Sequence, residues 1–555
     1  MLVYKNFIDD EVDENGCLKS ISFHPPVTYN FGFDVVDAVA DKTPDKLAML
    51  WVSRFNEEKR FTFSDIKKYS NKTANYFKKL GIKKGDRVLL VLKRHYQFWF
   101  AITALHKIGA IAIPATFLLT KKDFVYRFNA AGVKAVVATS ENDIPNAIDA
   151  AEPESPTLKI KCIVNGTRDG WSDFDKRIED ESDVFPRPTG EDEVMINDLA
   201  LMYFTSGTTG YPKIAAHDGT YSLGHLVTAR YWHNIDPDGL HLTISDTGWG
   251  KAVWGKYYGQ WLCEASIFVY DFEKFDAHDI LSKIQQYKIT TFCAPPTMFR
   301  FFIKDGMEGY DLSSLKYATV AGEALNPEVY NKFLEYTGIS LKEGFGQTET
   351  TLTIATLPGM EVKVGSMGKP TPQYKIKLVD ESGKEVKVGA VGEIVVDTSE
   401  SKPYGLFHEY FLDPVNTQKA WHDGLYHTGD TAWKDEDGYY WYYGRTDDLI
   451  KSSGYRIGPF EIESVLMEHP AVLECAVTAV PDPVRGQAVK ATIVLTKAYK
   501  DKGDQKLVKE LQDYVKKLTA PYKYPRVVEF VETLPKTISG KIRRGEIRKN
   551  SENEK

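Results

Sequence analysis

The sequence predicts an α/β protein: a large N-terminal domain of parallel or mixed sheets covered by helices, a β-rich subdomain, and a small α+β unit at the C-terminus. Three observations predict it. Short apolar runs alternate with amphipathic helical patterns over the first two thirds of the chain. The texture changes to alternating strands and turns after about residue 365. A chain of 555 residues is also long enough to bury several cores and to form two or more domains.

The early strands are RVLLVL (87–92), VKAVVAT (133–139), ALMYFTS (200–206) and ASIFVYD (265–271). Apolar throughout and separated by helices, they fit parallel sheets covered on both faces. FDAHDILSKIQQYKI (275–289) predicts one of those helices, with Ile280, Leu281, Ile284 and Tyr287 on one face; a strand resumes over Thr290 to Cys293, completing a β-α-β unit. Beyond residue 365, YKIKLVDESGKEV and AWKDEDGYYWYYGR read as strands, with DEDG as a hairpin turn. From Thr446 onward a helix (PFEIESVLMEHP), strands (LECAVTAV, KATIVLT), a charged helix (DQKLVKELQDYVKKL) and a strand (RVVEFVE) make a compact unit. The expected division is therefore 1–445, with 365–445 as the β-rich subdomain, and 446–555.

A net charge of -7, with 43% hydrophobic and 26% charged residues, gives no general attraction to nucleic acid or to an anionic membrane. Cys17, Cys162, Cys263, Cys293 and Cys475 lie far apart with no CxxC pair, which suggests neither a disulfide framework nor a zinc site and fits a reducing, cytoplasmic location. The acidic N-terminus, MLVYKNFIDDEVDENG, resembles neither a signal peptide nor a mitochondrial presequence. No run is long and apolar enough to span a bilayer.

The most conspicuous stretch is YFTSGTTGYPK, Tyr203 to Lys213. Its lysine is separated from Gly210 by Tyr-Pro and followed by Ile214, which disfavours a Walker-type loop. Hydroxyls on Ser206, Thr208 and Thr209, with backbone N–H groups freed by Gly207 and Gly210, could nevertheless cradle an anion. From the residues alone, a phosphate cradle and a plain turn between secondary elements are evenly matched.

The spacing S-G-T-T-G-x-P-K resembles the phosphate loop of the adenylate-forming superfamily, which includes acyl-CoA synthetases, luciferases and carrier-linked adenylation domains. GFGQTE (Gly344 to Glu349), LYHTGD (Leu425 to Asp430), YGRTDDLIKSSGYRIGP (Tyr443 to Pro459) and LPKTISGKIRR (Leu534 to Arg544) resemble its further motifs, in its order and over nearly the whole chain. SDTGW (Ser245 to Trp249), DPVRG (Asp482 to Gly486) and APYKYPR (Ala520 to Arg526) are most similar to the medium-chain acyl-CoA synthetase branch, itself similar to acetyl-CoA synthetases.

The resemblance implies that a carboxylate is joined to the α-phosphorus of ATP, pyrophosphate leaves, and the acyl group passes to coenzyme A. It makes 1–445 the AMP-binding domain and 446–555 a mobile C-terminal domain. It implies that Thr205, Ser206, Gly207, Thr208, Thr209, Gly210 and Lys213 hold the departing phosphates, and that Lys541 bridges carboxylate and α-phosphate. Gly322, Glu323 and Ala324, with Glu343, Gly344, Phe345, Gly346, Gln347 and Thr348, are implied to line the nucleotide site, Phe345 stacking on adenine. Asp430 is implied to accept from the ribose hydroxyls, Arg445 to hold the ribose or α-phosphate region, and Arg456 to sense the adenylate. Thr348 and Glu349 would act beside Lys541 in catalysis, and Glu349 is the implied Mg²⁺ ligand. Asp447 would be the hinge of a domain rotation, because one pocket cannot both clamp ATP with Lys541 and admit a thiol. Ser453, Gly454 and Tyr455 would line the thiol passage, while Arg485, Tyr524, Pro525 and Arg526 would hold the nucleotide part of coenzyme A.

For the acid, acetyl-CoA synthetases place a tryptophan where Gly346 stands. Gly346 should therefore open space for a medium-chain, branched or aryl acid, with Trp249, Gly250 and Lys251 as further walls. The aromatics of TGWGKAVWGKYYGQW (Thr247 to Trp261), Trp254 among them, could equally be helix packing. A lone His427 reads as structural. An acyl-CoA synthetase that takes small-molecule acid, ATP and coenzyme A competes with a free-standing adenylation enzyme that loads a carrier protein and with a non-catalytic nucleotide sensor. Arg485 and APYKYPR favour coenzyme A, and intact Lys541, Glu349 and Asp430 oppose the sensor. A homodimer is one option for assembly.

Overall fold

The strand Ala135–Thr139 pairs in parallel with Arg87–Val91, and Arg87–Val91 with Ile111–Pro114, so that Leu89 faces Val136 on one side and Ile113 on the other. These strands form the centre of an eight-stranded sheet. On one flank lie Ile160–Val164 and Ser172–Asp173, and on the other Leu199–Thr205, Lys213–Asp218 and the two-residue strand Glu409–Tyr410. The last two joins are antiparallel. Every residue of Arg87–Val91 except Arg87 is buried, as expected of a strand covered on both faces. The computed structural model describes residues 1–205, 211–536 and 542–553.

A nine-stranded sheet has a parallel centre of Leu341–Phe345, Tyr317–Val320, Thr291–Ala294, Leu240–Thr243, Ser266–Asp271 and Leu47–Ser53. Antiparallel strands flank it, Glu58–Thr62 at one edge and Ile354–Ala355 with Lys369–Pro370 at the other. The two large sheets share one core, and the helix Gln97–Ile108 runs through it buried on all sides. A helix apolar around its whole circumference can be stable only there. Its polar groups find partners inside: Trp99 Nε1 donates to the Lys256 carbonyl at 2.8 Å, and Lys107 Nζ donates to Asp37 at 2.7 Å and to Asn71 at 2.6 Å.

The helix expected over 275–289 spans Ala277–Gln286, capped by the Asp276 carboxylate, which accepts from the Asp279 N–H at 2.9 Å. Ile280, Leu281 and Ile284 are buried; Tyr287 lies just past the helix end, packs on the same cluster and donates its hydroxyl to Glu58 at 2.6 Å. The DEDG turn joins Leu425–Lys434 to Tyr440–Arg445, with Trp433 and Trp441 stacked across the pair at 5.3 Å. These strands belong to a five-stranded sheet with Ile376–Val379, Gly392–Asp397 and Trp421–His422.

The C-terminal unit is a hairpin of Val472–Asp482 and Gly486–Leu495, extended by Ile450–Ser452, Tyr455–Ile457 and the parallel strand Val527–Phe530. The helices Pro459–Met467 and Gln505–Leu518 pack on it, the second through Leu507, Leu511 and Val515 spaced one turn apart. Contacts among the described residues that join this unit to the rest include the following. Asn326 Nδ2 donates to the Ser464 carbonyl at 3.2 Å, Arg300 Nη1 lies 3.1 Å from Met467 Sδ, and Arg456 pairs with Glu381 at 2.8 Å.

Candidate active site

The C-terminal ends of parallel strands leave backbone groups and loops pointing into a crevice, which is where ligands bind in open α/β sheets. Leu199–Thr205 ends at the phosphate-loop motif, Tyr317–Val320 at VAGEALNP and Leu341–Phe345 at GFGQTE. The parallel pairing of Tyr317–Val320 with Leu341–Phe345 carries the last two motifs to the same edge of the nine-stranded sheet. Thr205 is half-buried and pairs across the sheet with Lys213. Ser206, Gly207, Thr208, Thr209, Gly210 and Lys541 lie outside the described residues.

Lys213 begins its strand with its ammonium 3.8 Å from the centroid of the Tyr410 ring. Burial pushes its pKa below the ordinary lysine value, with Glu349 pulling the other way. The Tyr410 hydroxyl donates to Glu349 Oε1 at 2.8 Å, and the Phe407 N–H donates to the Glu349 carbonyl at 2.7 Å. Thr348 accepts at its carbonyl from His217 Nε2 at 2.9 Å. Burial drives the His217 pKa down to about 3, so the ring is neutral and its proton sits on Nε2, while Nδ1 has no partner among the described residues.

Gln347 joins this group to Asp430. Its Nε2 donates to Asp430 Oδ2 at 2.5 Å and to the Thr428 carbonyl at 2.8 Å, while its Oε1 accepts from the Tyr426 hydroxyl at 2.7 Å. Asp430, itself buried, also accepts from the Tyr442 hydroxyl at 3.0 Å and from Arg445 Nη1 at 3.2 Å. Burial lowers the Arg445 pKa, but Asp430 and then Asp447 outweigh it and hold the pKa above the ordinary value. Gly429 makes that approach feasible: with φ at 69°, a Cβ there would lie 2.8 Å from Arg445 Nη2. Phe345 presents a half-buried ring 6.3 Å from that of Tyr442. Gly344 packs against Trp232, and burial raises Glu343 to about 8, the Leu325 N–H lowering it in part; its Oε2 has no partner among the described residues. Gly322, in a left-handed conformation with φ at 108°, meets nothing within 4 Å where a Cβ would stand, and it starts the turn through Glu323, which accepts from Thr297, and Ala324.

Residues 36–411 match the family model described as AMP-binding enzyme, and residues 461–541 match the AMP-binding enzyme C-terminal domain. The chain belongs to the AMP-binding enzyme family. Among the relatives of this AMP-binding enzyme, the human "Acyl-coenzyme A synthetase ACSM3, mitochondrial" is 40% identical over 533 residues, covering 94% of this chain and 90% of the relative. The mouse "Acyl-coenzyme A synthetase ACSM4, mitochondrial" is 40% identical, covering 98% and 93%. Among solved structures, the anthranilate CoA ligase AuaEII in complex with anthranoyl-AMP superposes with a TM-score of 0.86 at 27% identity, covering 96% of this chain and 98% of that one.

In this AMP-binding enzyme the residues implied for coenzyme A gather on the C-terminal unit, away from the Gln347–Asp430 hydrogen bonds. Ser453, Gly454 and Tyr455 form an exposed turn, Ser453 donating its N–H to the Arg485 carbonyl at 3.0 Å. Tyr455 stacks on Tyr522 at 4.1 Å, two residues before the Tyr524–Arg526 segment, where Arg526 donates to the Tyr524 hydroxyl at 2.6 Å and the Pro525 carbonyl accepts from Gln512. Arg485 pairs with Asp482. Asp447 lies between the two units with its carboxylate 3.6 Å from Arg445 Nε, while Arg456 turns outward to Glu381.

Of the residues expected to wall the acid, Trp249 immediately precedes the helix Gly250–Lys256, a Cβ at Gly250 would meet nothing within 4 Å, and Lys251 Nζ donates to the Ala321 carbonyl at 2.7 Å. A Cβ on residue 346 would come 2.4 Å from the Trp254 ring and 2.5 Å from the Thr351 carbonyl, so Gly346 lies in close contact with the helix Gly250–Lys256. Sequence reasoning missed Tyr410, Tyr426, Tyr442 and His217. Only the alternation of the YYWYYGR strand, which puts Tyr442 and Gly444 on one face, could have pointed to any of them.

Proposed function

We propose that this chain is an ATP-dependent acyl-CoA synthetase: carboxylic acid, ATP and coenzyme A become acyl-CoA, AMP and diphosphate through an acyl-adenylate. The observation that carries the reading is the hydrogen-bonded set Gln347–Asp430–Arg445, with Glu349 two residues from Gln347 and held by Tyr410, whose ring carries Lys213, in a chain with relatives named acyl-coenzyme A synthetases.

In the first half-reaction a carboxylate oxygen of the acid bonds to the α-phosphorus and the bond to diphosphate breaks. Carboxylate and triphosphate repel, so the chain must supply positive charge and oriented donors where negative charge grows. Lys213 serves the departing phosphates and Arg445 the α-phosphate side, while Asp430 takes the ribose hydroxyls as a buried acceptor. Phe345 and Tyr442 offer ring faces to adenine. Mg²⁺ would be held by Glu349 with phosphate oxygens completing its shell, where it neutralises phosphate charge; a single buried protein carboxylate suits a cation that keeps most of its ligands from substrate and water. In the second half-reaction the thiol of coenzyme A attacks the acyl carbonyl and AMP leaves. The outward-facing Gly454 turn has to reach the carbonyl for that step, which requires rotation near Asp447. Relatives named synthetases favour coenzyme A over a carrier protein as acceptor.

Diphosphate and AMP release over a panel of short, branched, medium-chain and aromatic acids, with and without coenzyme A, tests the reading. One diphosphate and one AMP per acyl-CoA are expected. Release with no acid in the panel, or turnover indifferent to coenzyme A, would sink it.

A further inference from the structure

Lys213 and Glu349 carry opposite charges, yet among the described residues each meets Tyr410 instead of forming an ion pair with the other. Tyr410 stands between. Its hydroxyl donates to Glu349 Oε1 at 2.8 Å, and its ring face carries the Lys213 ammonium at 3.8 Å from the centroid. The ring itself is 3% exposed and packs on Phe407 at 4.9 Å, and the Phe407 N–H holds the Glu349 carbonyl. The backbone of Tyr410 is pinned independently, by pairing with Ala215 two residues along the Lys213 strand.

We propose that Tyr410 is a positioning residue for adenylation, a spacer that keeps the Lys213 ammonium and the Glu349 carboxylate at fixed separation so that neither neutralises the other. The proposal rests on the synthetase reading. A buried ammonium and carboxylate close together would otherwise gain most by collapsing into direct contact, and each would then be lost to the triphosphate. The ring prevents this. It attracts the ammonium through its face without taking a proton or a hydrogen bond from it. Its hydroxyl occupies one carboxylate oxygen and leaves Glu349 Oε2, which accepts no hydrogen bond among the described residues, to face a cation. Such hydrogen bonds to a ligating carboxylate orient it and set metal affinity.

Tyr410→Phe separates the two functions, because it keeps the ring under Lys213 and removes only the hydroxyl. With β,γ-methylene-ATP present, Mn²⁺ titration followed by electron paramagnetic resonance should show affinity falling about tenfold or more. Half-saturating Mg²⁺ for acid-dependent ATP–diphosphate exchange should rise by a similar factor, with the rate recovered at high Mg²⁺ and the KM for the acid unchanged. Tyr410→Leu should add a higher KM for ATP. A folded Tyr410→Phe protein with wild-type Mn²⁺ affinity and wild-type Mg²⁺ dependence overturns the proposal, as does a rate loss that Mg²⁺ does not rescue. Should the wild-type chain release no diphosphate with any acid, the synthetase reading fails by itself, and the Mn²⁺ titration still decides the role of Tyr410.

Discussion

The Trp254 ring stands 2.4 Å from where a Cβ on Gly346 would be, and its Nε1 donates to the Tyr221 hydroxyl at 3.1 Å. The tryptophan packed against Gly346 therefore comes from the helix Gly250–Lys256 and not from the GFGQTE strand end. Trp254→Leu should move the preferred acid to a longer chain, with kcat/KM for an acid two methylenes longer gaining about tenfold at roughly 0.8 kcal/mol per buried methylene. Kinetics over an acid series checks this, and an unchanged chain-length optimum counts against it. Gly346→Trp should damage folding as well, since the Thr351 carbonyl also lies 2.5 Å from that Cβ.

Glu343 gives stability a pH dependence. Its folded-state pKa of about 8 lies above the ordinary 4.5, so the stability it contributes is fully present below about pH 4.5 and is lost as pH rises toward 8. Glu343→Gln mimics the neutral acid. It should match the wild type near pH 4.5 and exceed it above pH 8 by up to about 5 kcal/mol. Denaturant unfolding of both proteins across this range measures the difference, and parallel stability curves would rule it out.

Arg456 and Glu381 form an exposed pair across the two units. Exposed pairs contribute little, so Glu381→Ala should change stability by less than about 1 kcal/mol. Arg456→Ala should leave acid-dependent ATP–diphosphate exchange within about twofold and slow thioester formation from supplied acyl-adenylate about tenfold, the worth of a charged hydrogen bond. Assaying the half-reactions separately tests this; an equal loss in both refutes it.

Lys541→Ala should reduce ATP–diphosphate exchange by at least about a hundredfold, the scale of removing one donor aimed at developing charge. Thioester formation from supplied acyl-adenylate should survive. Substantial exchange in this variant would falsify the role given to Lys541.

Strand and helix identities were legible because their signals are local: the runs at 87–92 and 265–271, and the periodicity of 275–289, need no knowledge of the rest of the chain. The residues of GFGQTE, LYHTGD and YGR were legible for a different reason, since their spacing is dictated by the chemistry they face. Tyr410 was not, because its role depends on a two-residue strand finding Lys213–Asp218 from almost 200 residues away. Trp254 could be named from the sequence but not assigned, since its helical spacing was equally that of a core residue, and only the packing shows that it touches Gly346. Long-range contact, not residue type, separates what could be read from what could not.

The strand Glu409–Tyr410 closes the edge of the eight-stranded sheet whose centre lies between residues 87 and 139. During synthesis that sheet therefore stays open along Lys213–Asp218 until some 200 further residues have left the ribosome. An unpaired edge strand, five of whose six residues are buried in the folded chain, is a template for association with other chains. Truncations that stop before residue 409 should consequently be prone to aggregate even when every residue of the central strands is present, and chaperone dependence should fall once translation has passed Tyr410.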